Sequence, residues 1–227
     1  MVNASSTLAS PVNWRRVRID DVCTIKSGST PLRSQHERYF TDGTIPWVKT
    51  MDLTNGFVYE TDECITTQAL QESSCPLLEP GTVLVAMYGG FNQIGRTGLM
   101  TFQGSVNQAI SALIVDPNLI ESEYLLHWLN ASVSTWKRIA ASSRKDPNIT
   151  GRDVASFPVL LPPLPEQRKI AEILGTWDAA IERVTRLIAG LQRRKQGLMQ
   201  RLLTGQVRFP EFAGEAWQET ELGEFVE

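Results

Sequence analysis

Leu161-Pro-Pro-Leu-Pro-Glu-Gln-Arg-Lys-Ile170 opens the stretch that decides the architecture of this chain, and that stretch closes on Leu202-Leu-Thr-Gly205. Just before it, Phe157-Pro-Val-Leu-Leu-Pro-Pro-Leu-Pro165 holds four prolines. Proline lacks an N–H and fixes φ, so this segment cannot continue a helix or a central strand and marks a domain boundary. Pro165 and Glu166 suit the first turn of a helix, Thr204-Gly205 suits its end, and Arg201 lies in the last turn against the dipole. About 38 residues at 1.5 Å rise predict a helix roughly 57 Å long. Its apolar positions are Ile170, Leu174, Trp177, Ile181, Val184, Ile188, Leu191, Leu198 and Leu202, with Lys195 filling the remaining place in the series. The spacing alternates four and three, which is the heptad seam of a coiled coil. Such a helix cannot bury its whole stripe against one compact domain and needs another helix; the plain alternative is an amphipathic helix lying along its own domain. Lys195 in the seam fits either a register-setting device or a solvated end. Gly175, Gly190 and Gly197 each cost ~1 kcal/mol in a helix interior, and close approach of a partner backbone would account for them.

Outward from the helix, charge is placed unevenly. The chain has 227 residues with 22 Lys/Arg against 25 Asp/Glu. Residues 1–163 hold 13 basic and 15 acidic residues, residues 164–208 hold 9 and 4, and residues 209–227 hold none and 6. Without the acidic tail the balance is positive, so the net charge of -3 does not exclude a nucleic-acid partner. With 42% hydrophobic residues the chain can bury a sizeable core. No apolar run reaches the ~18 residues of a membrane helix, and the N-terminus lacks a signal-peptide pattern, so no membrane and a cytoplasmic location are expected. Cys23, Cys64 and Cys75 form no CxxC pair and read as small buried hydrophobes. His36 and His127 read as structural or solvated, and no metal site is expected.

The two ends of the chain resemble each other. Trp14-Arg-Arg-Val-Arg-Ile19-Asp-Asp21-Val22 and Trp217-Gln-Glu-Thr-Glu-Leu222-Gly-Glu224-Phe225 share Trp, four residues, an aliphatic, one residue, an acid and an apolar residue. The second copy begins just after the long helix, as if one complete unit were followed by the opening of another.

Residues 14–116 read as short strands at Val17 to Thr24, Ile45 to Val48, Gly56 to Tyr59, Thr82 to Tyr88, Gly98 to Phe102 and Ala109 to Val115. Val83-Leu-Val-Ala-Met87 is the most buried of these. An amphipathic helix is expected over Glu121 to Ala141. The fold class is therefore α+β, a β-rich domain with flanking helices followed by a long coiled-coil-forming helix. Catalytic signatures are missing: there is no GxxxxGK[ST], HExxH, CxxC or GxSxG. Asp20-Asp21 and Asp62-Glu63 are sequence neighbours that on strands would face opposite ways, and they read as solvated surface. The polar loops instead offer Lys26, Ser27, Thr30, Arg33, Lys49, Thr50, Asn92, Gln93, Arg96, Asn107, Gln108, Arg144, Lys145 and Asn148. Asn and Gln can bond adenine bidentately, Arg and Lys read guanine or hold phosphate, and small residues let the backbone approach a ligand.

Taken together, Trp14…Ile19-Asp-Asp-Val22, Lys26-Ser-Gly-Ser-Thr-Pro31, Ile45-Pro-Trp-Val48, Met87-Tyr-Gly-Gly90 with Ile94-Gly-Arg96, Val106-Asn-Gln-Ala109 and the PLPEQ-to-LLTG helical segment resemble the DNA-specificity (S) subunit of type I restriction-modification systems. The chain departs from the family's usual glycine-flanked turn by inserting Phe91-Asn-Gln93. The resemblance implies a DNA target recognition domain at 1–163, with Tyr88 among the DNA-facing residues. It further implies a helical spacer at 164–208 and, at 209–227, the start of a second repeat. A complete subunit of that family carries two such units with antiparallel spacers; this chain has one, as a half-length subunit or part of a longer one. A non-catalytic role follows, with double-stranded DNA, a methyltransferase subunit and a restriction subunit as partners and a homodimer through the spacer helices. No cofactor is expected in this chain, S-adenosylmethionine belonging to the methyltransferase. Two competing readings stand beside this one. A coiled-coil adaptor with a protein-binding β domain would bind without the steep salt dependence of phosphate contacts, and an enzyme using the loop at 27–31 as a phosphate cradle would carry a nucleotide.

Overall fold

The computed structural model describes residues 14–90, 92–141, 148–216 and 221, and the chain divides into two compact units, Met1–Thr176 and Trp177–Glu227. In the first unit the described residues form β1 (Arg15–Arg18), β2 (Cys23–Ser27), α1 (His36–Tyr39), β3 (Ile45–Val48), β4 (Gly56–Val58), β5 (Cys64–Ile65) and α2 (Thr67–Glu72). They continue through β6 (Val83–Ala86), β7 (Thr97–Met100), β8 (Ser105–Val106), β9 (Ile110–Val115), α3 (Ser122–Ala131), α4 (Val133–Ala141), α5 (Gly151–Ala155) and β10 (Pro158–Leu161). The long helix α6 (Leu164–Leu203) begins in the first unit and supplies most of the second.

Three sheets organise the first unit. The largest runs β2-β9-β6-β7-β4, antiparallel except for the parallel β4·β7 pair. A smaller one runs β5-β3-β8, and β1 pairs antiparallel with β10. The apolar run at β6 is continuous because both faces are covered. Its residues alternate between two cores: Val83 and Val85 face one with Leu125, Leu129 and Trp136 of α3 and α4, while Leu84 and Ala86 face another with Val48, Leu53 and Met100. The α+β class is thus observed, with mixed sheets, flanking helices and a long terminal helix.

Several local expectations are corrected. Val17 to Thr24 is not one strand: Ile19–Asp21 form a 3-10 turn whose start is capped by the Asp21 carboxylate accepting from Arg18 N–H at 2.7 Å. The turn moves the chain from the β1·β10 pair into the large sheet, so Asp20 and Asp21 are not strand neighbours. Glu121 to Ala141 is two helices, broken at Ser132, whose hydroxyl donates to the Trp128 carbonyl at 2.8 Å while Trp136 N–H bonds the Ser132 carbonyl at 3.1 Å. Beyond the break Trp136 is buried and stacks on Phe157, ring centroids 3.7 Å apart. Cys23 and Cys75 are buried, but Cys64, at the edge of the small sheet, is only half-buried. Burial pushes the Cys23 thiol up to about 12.

The proline segment supplies β10 as the partner of β1 alone, a place where missing N–H groups cost little. The helix that follows is rooted by Gln167, which is 0% exposed. Its Oε1 accepts from Glu121 N–H at 2.9 Å, and its Nε2 donates to the carbonyls of Leu119 at 3.1 Å and Pro162 at 2.8 Å. One side chain therefore joins the start of α6 to the turn before α3. At the far end Gly205 adopts φ +72°, which ends the helix as its sequence predicts.

In the second unit, the seam positions Trp177, Ile181, Val184, Ile188, Leu191 and Leu198 are all exposed, Trp177 to 67%. Off-seam Ile173 in the first unit and Leu187 in the second are also exposed, while Gly190 and Gly197 have open space where a Cβ would go. At 40 residues the helix is roughly 60 Å long. The second copy of the tryptophan motif, Trp217 to Phe225, lies outside the described residues apart from Glu221.

Replacing Gln167 by Ala leaves one buried N–H and two carbonyls unpaired at ~1–3 kcal/mol each. Urea denaturation of the full chain should show Gln167→Ala destabilised by about 3 kcal/mol, and an unchanged midpoint would contradict the rooting role.

Candidate nucleic-acid interface

The loops that join the sheets converge through backbone contacts made between distant parts of the chain. Gly28 N–H bonds the Ile110 carbonyl at 3.3 Å and Ser29 N–H the Val106 carbonyl at 3.1 Å, pressing the loop after β2 onto the loop between β8 and β9. A Cβ on Gly28 would collide with the carbonyls of Val106 and Asn107, so only glycine allows the approach. Trp47 Nε1 donates to the Ser29 carbonyl at 3.2 Å. Asn107 N–H donates to the Val48 carbonyl at 3.0 Å, tying the loop after β3 into the same group. The β6–β7 turn joins through its side chains, and Ile149 N–H reaches the Met87 carbonyl at 2.8 Å.

On this scaffold the polar residues meet in pairs. Thr30 Oγ1 donates to Gln108 Oε1. Thr50 Oγ1 donates to Gln93 Oε1 at 3.1 Å, and Gln93 Nε2 reaches Met51 Sδ at 2.9 Å. Gln93 thus links the β6–β7 turn to the turn after β3. Gly89, with φ +124°, lets that link form, because a side chain there would strike Gln93. Asn107 spends its Oδ1 on the Ala109 N–H at 3.1 Å, shaping its own turn. Lys26 and Ser27 are the last two residues of β2, exposed beside this group, and Asn92 is exposed at the tip of the β6–β7 turn. Tyr88 is half-buried against the core, and burial raises its phenol. Asn148 lies at the start of the segment that Ile149 docks. Arg144 and Lys145 lie outside the described residues.

Of the cations, Arg33 and Lys49 are paired. Both bond Glu63, Arg33 through its two Nη atoms, with Nη2–Oε2 at 2.9 Å, and Lys49 through Nζ at 3.3 Å. Glu63 is therefore not the solvated surface group expected from its sequence neighbours; the bonds from Arg33, then from Lys49, hold its carboxyl below the usual range despite partial burial. Lys26 and Arg96 make no ion pair with any of the described residues. Glu63 is the organising residue that the sequence reading leaves as solvated surface, since it has no local signal: Arg33 and Glu63 stand 30 positions apart. Among the described residues, no group of three or more His, Cys, Asp or Glu side chains could hold a metal ion, and no helix is long and apolar enough to cross a membrane.

Comparison with known proteins gives a consistent result. Residues 11–193 match the family model described as the type I restriction modification DNA specificity domain. The chain is 28% identical over 178 residues to the type I restriction enzyme MjaIX specificity subunit of Methanocaldococcus jannaschii, covering 76% of this chain and 39% of that one. It is 24% identical over 176 residues to the EcoR124I/EcoR124II specificity subunit of Escherichia coli, covering 77% and 43%. The fold is similar to that of the HsdS subunit from Thermoanaerobacter tengcongensis, with TM-score 0.59 and 23% identity over 87% of this chain and 46% of that one. The chain therefore spans about two fifths of the length of the curated relatives it matches.

The depressed Glu63 carboxyl gives a pH prediction. Its stabilisation is present above the ~4.3 of an unfolded glutamate and is lost as the pH falls through the lower folded value. The difference in melting temperature between the native chain and Glu63→Gln should be constant from about pH 5 to about pH 8 and shrink below about pH 4. A difference that persists unchanged in acid would mean the pair does not form in solution.

Proposed function

Because the chain belongs to the type I restriction-modification DNA specificity family, we propose that it is a non-catalytic DNA-binding subunit that reads half of a bipartite target and pairs through its spacer helix. The observation that carries this reading is the row of exposed apolar residues on α6, from Trp177 to Leu198. Burying one Leu, Ile or Val side chain is worth ~1.5–3 kcal/mol, so the row supports association with other helices. A second copy of this chain, laid antiparallel, presents the same row in reverse and makes an isologous dimer. Two-fold symmetry then demands a palindromic, interrupted site. Half-sites one turn apart are separated by ~34–36 Å, within the roughly 60 Å of the helix.

The converging loops are the surface offered to double-stranded DNA. Amides of Asn92 and Gln108 and the hydroxyls of Ser27 and Thr30 are suited to base edges, and Lys26 and Arg96 to phosphates. Arg144, Lys145 and Asn148 belong to the same proposal. The methyltransferase subunit docks on the spacer, holds S-adenosylmethionine and takes the target adenine out of the stack; a restriction subunit completes the complex. This chain contributes position and sequence choice and holds no cofactor.

Light scattering at micromolar concentration should give twice the chain mass. The double substitution Ile181→Glu and Ile188→Glu, which places charges in the row of both copies, should weaken that association at least ~100-fold. A monomeric native chain would contradict the symmetric pairing.

A further inference from the structure

Arg33 and Glu63 form an arrangement that ordinary surface pairing does not require. The Arg33 guanidinium lies over the Phe40 ring, 4.3 Å from its centroid, and 5.1 Å from that of Trp47. The two rings meet edge to face, and Trp47 is itself held by the Ser29 carbonyl. Glu63 grips both Nη atoms of Arg33 in a fork and takes Lys49 as well. The Glu63 side chain is 22% exposed, whereas that of Arg33 is 49% exposed. The carboxylate thus sits on the inner side of the guanidinium and leaves the outer side open to solvent.

A half-exposed ion pair adds little to stability, yet here the plane and the rotation of a long, flexible side chain are both fixed. Guanidinium has five N–H donors. Glu63 uses one on each Nη, and the adjoining edge keeps Nε–H and the second N–H of a neighbouring Nη as a parallel pair. That pair matches the O6 and N7 acceptors of guanine in the major groove. Charge points the same way. Glu63 cancels one of the two cations it binds, so the cluster suits an uncharged base edge better than a phosphate, a role left to the uncompensated Lys26 and Arg96.

We propose that Arg33 is a guanine-reading side chain and that Glu63 is the positioning residue that aims it against the Phe40 and Trp47 platform. This rests on the DNA-reading function proposed above. Arg33 becomes a specificity-determining residue, and a single base pair in each half-site is fixed by it.

The test is selection of bound sequences from a library of random double-stranded DNA by the full chain co-purified with its methyltransferase subunit. The native complex should enrich guanine at one position per half-site. Arg33→Lys keeps the charge but loses the fork, so that preference should fall about tenfold or more, with no change in the slope of log affinity against log salt. Glu63→Gln should weaken the preference at the same position and raise non-specific affinity, and Glu63→Asp, which keeps the carboxylate, should recover part of it. A merely structural Glu63 would instead alter binding to all sequences alike. Unaltered base preference in Arg33→Lys would overturn the guanine-reading role while leaving the DNA-binding function intact. A native complex with no sequence preference at all would overturn both.

Discussion

An exposed apolar row on a helix of 40 residues, interrupted by Lys195, is costly to leave in water. Each exposed Leu, Ile or Val in the row forgoes ~1.5–3 kcal/mol of burial. The row keeps alternating fours and threes from Ile170 to Leu202, the spacing of a coiled-coil seam. Ile173 and Leu187 are further exposed apolar residues beside the seam. The start of this helix is fixed by different means. Gln167 exchanges three hydrogen bonds with the turn before α3 and the proline segment, so a polar side chain does inside the first unit what apolar contacts do elsewhere.

The converging loops obey another constraint, which is that loops can be held in a fixed arrangement only if they brace one another. Gly28 and Gly89 allow contacts that any side chain would block. Gln93, Trp47 and Asn107 then tie together segments that lie far apart in sequence. Charge is handled in the same local way. The chain's net charge of -3 says little about the surface of these loops, where Glu63 neutralises part of the positive charge of Arg33 and Lys49.

The parts of this architecture that depend on local pattern could be read from sequence. Heptad spacing, the prolines before the helix and the terminal glycine are all local, and the long helix follows from them; the buried run at β6 is equally plain. What failed depended on tertiary context. The break at Ser132 is hidden because amphipathic spacing continues across it. The 3-10 turn at Ile19–Asp21 interrupts what reads as one strand because the chain must change sheets there. Candidate loop residues were identifiable by type, but their pairing was not. Glu63 looked like solvated surface because its partners, Arg33 and Lys49, come from other segments. Gln167 looked like one more polar residue in a helix start, its buried role visible only once the turn before α3 is placed against it.

On the function proposed above, one copy of this chain reads half a site and two copies, related by two-fold symmetry, make a whole one. Mapping methylated adenines across DNA treated with the complex of this chain and its methyltransferase subunit tests it most directly. The account predicts an interrupted palindrome, the same half-site on both strands separated by a fixed gap. Methylation at an asymmetric bipartite sequence, or at no defined sequence, would contradict it.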